Sequence, residues 1–156
     1  MTPNSFEIIS SQGKESLAKV FVARTAGKNG AYIEFVESTQ PPLTMDEKWV
    51  LIVSTLSGCP VKCPICDANE QAGARLSARQ IMEQIDYLVM KRYPDRIVPV
   101  PKFKIQFARM GDPAFNPAVI EVLNELPLFY KAPGLIPCIS TIAPRKCEGF
   151  FEKLIE

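Results

Sequence analysis

The chain has 156 residues, 47% hydrophobic and 22% charged, with a net charge of +1, so it can bury one core of ordinary size. The near-neutral balance gives no electrostatic preference for a nucleic acid, a membrane surface or an acidic partner. No apolar run approaches the ~20 residues of a membrane-spanning helix, and Met1–Glu7 lacks the basic start and apolar run of a signal peptide.

Residues 1–47 read as β structure. Lys19–Arg24 and Ala31–Glu37 are rich in Val, Phe, Tyr and Ile, and Ser5–Ser10 can add a short strand. Between the two longer runs, Thr25–Gly30 holds two glycines and an asparagine, enough to turn a hairpin. Pro41-Pro42 then forms a stiff joint. Nothing in this part carries chemistry, and it reads as a small β-rich appendage packed on a main domain of residues 48–156.

From Lys48 the rhythm becomes strand, loop, helix, three times over. Trp49–Thr55 is almost wholly apolar, as a parallel strand covered on both faces requires. The loop after it, Ser57–Asp67, spaces Cys59, Cys63 and Cys66 as C-x3-C-x2-C, with Gly58, Pro60 and Pro64 bending the backbone. The expectation is a compact loop with its sulfurs turned inward. Leu76–Arg92 then reads as a helix. Ser77 and Gln80 make a capping box, Leu76 can staple onto Ile81, Ile81, Ile85, Leu88 and Val89 form the buried stripe, and Tyr93-Pro94 ends it.

In the second unit, Phe103, Ile105 and Phe107 alternate with Lys104, Gln106 and Ala108, so the strand has one apolar face for helices and one polar or small face. Gly111-Asp112-Pro113 follows. Asn116 is the expected N-cap of a helix with Pro117 at its first position, Ile120, Leu123 and Leu126 as its buried side, and Pro127 as its stop. The third unit is the strand Leu135–Thr141, the segment 142–146 and a helix from about Cys147, buried through Phe150, Phe151, Leu154 and Ile155. That helix reaches Glu156 without a closing cap, which reads as an element cut in mid-course.

The chemistry sits in the cysteine loop. Three thiolates at this spacing can hold three corners of a cubane [4Fe–4S] cluster and leave the fourth iron open to a ligand. The same residues can instead form part of a structural zinc site, with Cys138 or Cys147 as fourth ligand. Zinc ribbons usually present two C-x2-C pairs, whereas this chain has one such pair and no histidine. Five cysteines leave one unpaired in any disulfide framework. Reduced thiols with no export signal point to the cytoplasm.

With the cysteine loop after strand one, Gly111-Asp112-Pro113 after strand two and Ser140-Thr141 closing strand three, the chain from about Lys48 resembles the radical S-adenosylmethionine (SAM) superfamily. It is most similar to the branch of rRNA and tRNA adenine C-methylating enzymes, whose Met-Gly-Glu-Pro stretch stands here as Met110-Gly111-Asp112-Pro113. The resemblance implies the first half of a (βα)6 partial barrel with three βα units. It implies that Cys59, Cys63 and Cys66 ligate a [4Fe–4S] cluster whose open iron is chelated by SAM. Gly111 and Asp112, with Pro113 shaping the turn, match the stretch that binds the SAM amino group. Ser140 matches a hydroxyl on the ribose or carboxylate side, and Ile65 stands beside the adenine where an aromatic residue is usual.

The implied activity is reductive cleavage of SAM to methionine and a 5′-deoxyadenosyl radical, with hydrogen abstraction from an unknown substrate. The implied partners are SAM and an electron donor such as flavodoxin or ferredoxin. One departure bears on RNA. The RNA-methylating branch carries a catalytic cysteine seven residues before the first cluster cysteine, and that position is Ile52. RNA is therefore unsupported as a substrate. The readings opposed to this one are a non-catalytic zinc-binding module and an inactive fragment.

Overall fold

The computed structural model describes residues 5–26, 30–69 and 73–156. Six strands form one sheet in chain order: β1 (Phe6–Lys14), β2 (Ala18–Thr25), β3 (Tyr32–Ser38), β4 (Lys48–Val53), β5 (Lys102–Phe107) and β6 (Leu135–Ile139). Three helices accompany them: α1 (Ala78–Arg92), α2 (Ala118–Phe129) and α3 (Glu148–Ile155). The strands from β1 to β4 pair antiparallel, and β4, β5 and β6 pair parallel with α1 and α2 as the crossovers. The three successive βα units are those expected from the sequence. The sheet is mixed, and its order runs from β1 to β6 without β6 pairing back to β1.

The N-terminal region is β structure as expected, but it extends the sheet instead of packing on it. Val36, Glu37 and Ser38 of β3 pair with Ile52, Leu51 and Val50 of β4, so the meander covers what would otherwise be an open edge of the parallel strands. β1 is longer than the expected Ser5–Ser10, with an irregularity between Ile8 and Ser10 that shifts the register. The tip of the hairpin between β2 and β3 lies outside the described residues.

Alternation sorts the side chains. Trp49, Leu51 and Val53 of β4 and Phe103, Ile105 and Phe107 of β5 point to the helix side and are fully buried. Trp49 stacks on Phe103 with ring centroids 5.0 Å apart, and Phe21 stacks on Phe35 at 5.3 Å. Against this face α1 sets Ile81, Ile85, Leu88 and Val89. Each such side chain contributes about 1.5–3 kcal/mol on burial. The Ser77–Gln80 capping box forms as expected, and the helix ends at Tyr93.

Gln84 is the exception on that stripe. It is buried, and its amide pairs with the Ser54 backbone like a strand neighbour, Nε2 donating to the Ser54 carbonyl at 3.0 Å and Oε1 accepting from the Ser54 N–H at 2.9 Å. A buried amide with both ends satisfied carries little penalty, and here it holds the exit of β4 to α1.

Four expectations change in the second and third units. Helix α2 runs through Pro127 to Phe129. A proline so near a helix end removes only one main-chain bond, and Tyr130 N still reaches the Leu126 carbonyl at 3.1 Å. Its buried face is Val119, Val122 and Leu126, with Ile120 and Leu123 only partly covered. In α3 Phe150 is buried and Phe151 partly so, whereas Leu154 and Ile155 are exposed. β6 ends at Ile139, leaving Ser140 and Thr141 in the loop beyond it.

Candidate functional site

The chain's distinctive residues follow the C-terminal ends of β4, β5 and β6, where a parallel sheet places its active groups. Backbone bonds first fasten two of these exits together. The Met110 carbonyl accepts from the Thr55 and Leu56 amides at 2.9 and 3.1 Å, and the Met110 N–H donates to Ser54 Oγ at 3.1 Å. Asn116 adds a second fastening. Its Nδ2 donates to the carbonyls of Thr55 and Leu76 at 2.8 and 2.7 Å, while its Oδ1 accepts from Ala118 N at 3.1 Å. The predicted helix cap is thus also a buried bridge between the β4 loop and the start of α1. Pro117 follows it with helical dihedrals, as expected.

Gly111 turns the chain between these fastenings. Its φ is +83°, and a Cβ there would lie 2.4 Å from Leu56 Cβ, so only glycine satisfies both the conformation and the space. Asp112 comes next and is buried. Its Oδ1 accepts from the Ala114 amide at 2.9 Å and from the Thr141 hydroxyl at 2.7 Å, and its Oδ2 accepts from the Ile142 amide at 2.9 Å. A carboxylate has about four lone-pair sites, so one on Oδ2 remains. Asp112 therefore ties the β5 exit to the β6 exit, a task the sequence reading did not assign to it. Pro113, also buried, begins the short 3₁₀ turn Pro113–Phe115 that Asp112 caps.

Cys59, Cys63 and Cys66 line one pocket of about 300 Å³ with Gly111, Asp112 and Ser140. The structure thus brings together six of the eight residues singled out from the sequence. Ile65 is 97% exposed on the outside of the loop, and neither it nor Pro113 is among the pocket's lining residues. Cys138 and Cys147, the two candidate fourth zinc ligands, do not line the pocket either.

None of the three cysteines is in a disulfide, Cys59 and Cys63 being partly covered and Cys66 exposed. A turn from Cys66 N to the Cys63 carbonyl at 3.1 Å shapes the second half of the loop. The sulfurs are less gathered than expected. Among the described residues no three Cys, Asp or Glu side chains converge into a group that could hold a metal ion. The donors match an iron–sulfur cluster in kind and number, since three cysteines line one pocket.

Ser140 Oγ accepts a hydrogen bond from Gln106 Nε2 at 3.0 Å, which leaves its own proton free to donate into the pocket. Arg109, at the end of β5, also lines the pocket and donates through Nε and Nη2 to Glu34 Oε2, the Nε bond being 2.9 Å. Glu34 belongs to β3, so the N-terminal region does reach the rim of the site. The sequence held no signal for this, because the pairing spans |i−j| = 75. Arg109, Glu34, Tyr32, Cys66 and Asp67 line an adjoining pocket of about 240 Å³.

No helix among the described residues is long and apolar enough to cross a membrane. No family model matches the sequence, and no curated protein matches it. Among solved structures, the fold is similar to that of a radical SAM methyltransferase from Sphaerobacter thermophilus, with a TM-score of 0.64 and 18% sequence identity. The match covers 86% of this chain and 38% of that protein, so the chain spans well under half of the structure it resembles. What the two share is the fold, an α/β arrangement of mixed sheet and crossover helices, over most of this chain's length.

Proposed function

We propose that this chain is a radical SAM enzyme, or part of one, which binds a [4Fe–4S] cluster and SAM in the pocket at the ends of β4, β5 and β6. The observation that carries the reading is the shared pocket. Three cysteines from one loop, the Gly111-Asp112 turn and Ser140 come from three separate βα units and line the same space. The likeness in fold to a radical SAM methyltransferase supports it.

Cys59, Cys63 and Cys66 would hold the cluster through their thiolates. When bound, the cluster supplies the electron that splits the SAM sulfonium, and the protein supplies ligation, orientation and exclusion of water. Gly111 lines the pocket, so its backbone is within reach of a ligand, while the room its missing side chain leaves is taken by Leu56. The remaining acceptor site on Asp112 can accept a charge-assisted hydrogen bond from the SAM ammonium. The Ser140 hydroxyl, whose oxygen already accepts from Gln106, donates to a carboxylate or ribose oxygen. Ile65 leaves the adenine without an aromatic neighbour from that position. The substrate stays unnamed. A low-potential donor such as flavodoxin or ferredoxin is the partner this chemistry requires.

The experiment is anaerobic reconstitution followed by iron, sulfide and zinc assays, with EPR of the reduced protein before and after SAM. About four irons and four sulfides per chain, with a signal that changes on adding SAM, is the expected result. Stoichiometric zinc without sulfide would show a structural metal module in its place.

A further inference from the structure

A larger cavity than the cysteine pocket lies elsewhere. A pocket of about 500 Å³ opens between the 3₁₀ turn Pro113–Phe115, the start of α2 and the start of α3. Its wall is apolar, built from Ala114, Phe115, Ile120 and Phe150. Four cations complete the lining: Arg75, Arg145, Lys146 and Lys153. Among the described residues no acidic side chain lines it, and none of the four cations forms an ion pair. Gly149 lines it too, and a Cβ built there meets nothing within 4 Å, so the wall has open room at that point.

We propose that this pocket binds a mononucleotide-class ligand, a flat heteroaromatic ring carrying a phosphate. The two halves of the lining each require half of that ligand. An apolar wall with two phenylalanines favours a ring that can lie against it, and guanidinium groups also stack on flat rings. Four cations with no ion-pair partner among the described residues suit a multiply charged anion, and a phosphomonoester supplies close to two charges at neutral pH. Inorganic phosphate alone would leave the apolar wall wet, and an uncharged ring would leave the cations unused. The uncapped start of α3, where Cys147 makes no side-chain cap, lies on the same wall and adds favourable dipole for an anion. The site shares no residue with the cysteine pocket, so the proposal does not rest on the function proposed above.

The test is calorimetric titration of the full chain with AMP, adenosine and inorganic phosphate. AMP is expected to bind saturably below about 1 mM, with adenosine and phosphate each roughly tenfold weaker or more. Gly149→Leu puts a side chain into the open space at a helical position where Leu is the better helix former, and it should abolish AMP binding with the fold intact by circular dichroism. Lys153→Glu, on an exposed residue, should weaken AMP roughly tenfold or more and leave adenosine unchanged. Cys59→Ala should bind AMP as the parent does. No saturable AMP binding, equal affinity for adenosine, full binding by Gly149→Leu, or loss of binding in Cys59→Ala would each overturn the proposal.

Discussion

The Thr141 hydroxyl donates to Asp112 Oδ1 at 2.7 Å, a bond between the exits of two parallel strands and across 29 residues of chain. With the Ile142 amide on the other oxygen, Asp112 clamps the third βα unit to the second at the edge of the cysteine pocket. The residue matched to SAM binding therefore carries a structural task as well.

The two tasks separate by mutation. Thr141→Val removes one hydrogen bond to a charged group and is expected to destabilise the fold by about 1.5–3 kcal/mol while Asp112 keeps its charge. Asp112→Asn should weaken SAM binding roughly 10- to 150-fold at unchanged iron content. Urea unfolding and SAM titration of both variants check this. Equal loss of SAM affinity in the two would make Asp112 a clamp only.

Gly111→Ala meets two penalties, a left-handed φ of +83° and a Cβ 2.4 Å from that of Leu56. Strain of about 1–2 kcal/mol from the backbone and about 1–3 from overpacking add to roughly 2–5 kcal/mol. Chemical denaturation measures the sum. In Leu56→Ala/Gly111→Ala the packing part should be partly relieved, and a double mutant no better than additive would place the whole cost in the backbone.

Replacing Cys59, Cys63 or Cys66 with Ala should each abolish iron and sulfide incorporation. Cys147→Ala should leave both unchanged, since Cys147 is buried at the start of α3 and lines the other cavity. Iron and sulfide analysis of the four reconstituted variants decides it. Full incorporation without Cys66 would remove that residue from the ligand set.

Ile52 occupies the strand position where the RNA-methylating branch has a cysteine, and it pairs in register with Gln106 of β5. The expected outcome is no 2-methyl- or 8-methyladenosine in rRNA or tRNA that depends on this protein. Mass spectrometry of nucleosides from cells with and without it supplies the measurement, and a dependent methyladenosine would overturn the expectation.

Two groups outside the site set opposite pH limits. Burial, and then the Asp86 carboxylate beside it, hold the Tyr130 phenol above its ordinary value of 10.0. A pKa raised in the folded state means the unfolded chain ionises first, so this contribution is complete below pH ~10 and is lost as pH rises beyond it. Burial of Glu83 raises its pKa, but hydrogen bonds from the Ser5 hydroxyl, Arg79 and the Ser5 amide outweigh it, and the net shift is downward. That contribution is present above the ordinary carboxylate value of 4.5 and fades as pH falls. Urea midpoints against pH should therefore fall at both ends. Tyr130→Phe should flatten the alkaline limb and Glu83→Gln the acid limb, and unchanged slopes would assign the limbs to other groups.

The sequence by itself determined what depends on near neighbours. Alternating Phe103, Ile105 and Phe107 mark a strand with one buried face, and Ser77 with Gln80 marks a helix start, because both patterns are written within a few residues. The C-x3-C-x2-C spacing and the Gly111-Asp112-Pro113 turn are equally local. Only the tertiary structure decided which polar groups meet. Nothing near Gln84 in the sequence marks its partner, Asn116 is legible only as a helix cap, and Glu34 sits in a strand with no local task. Their partners lie 30, 61 and 75 residues away in the chain. The physical reason is that crossover connections bring strand exits together at distances no periodicity records, and a buried polar group takes whichever partner the packing leaves within reach.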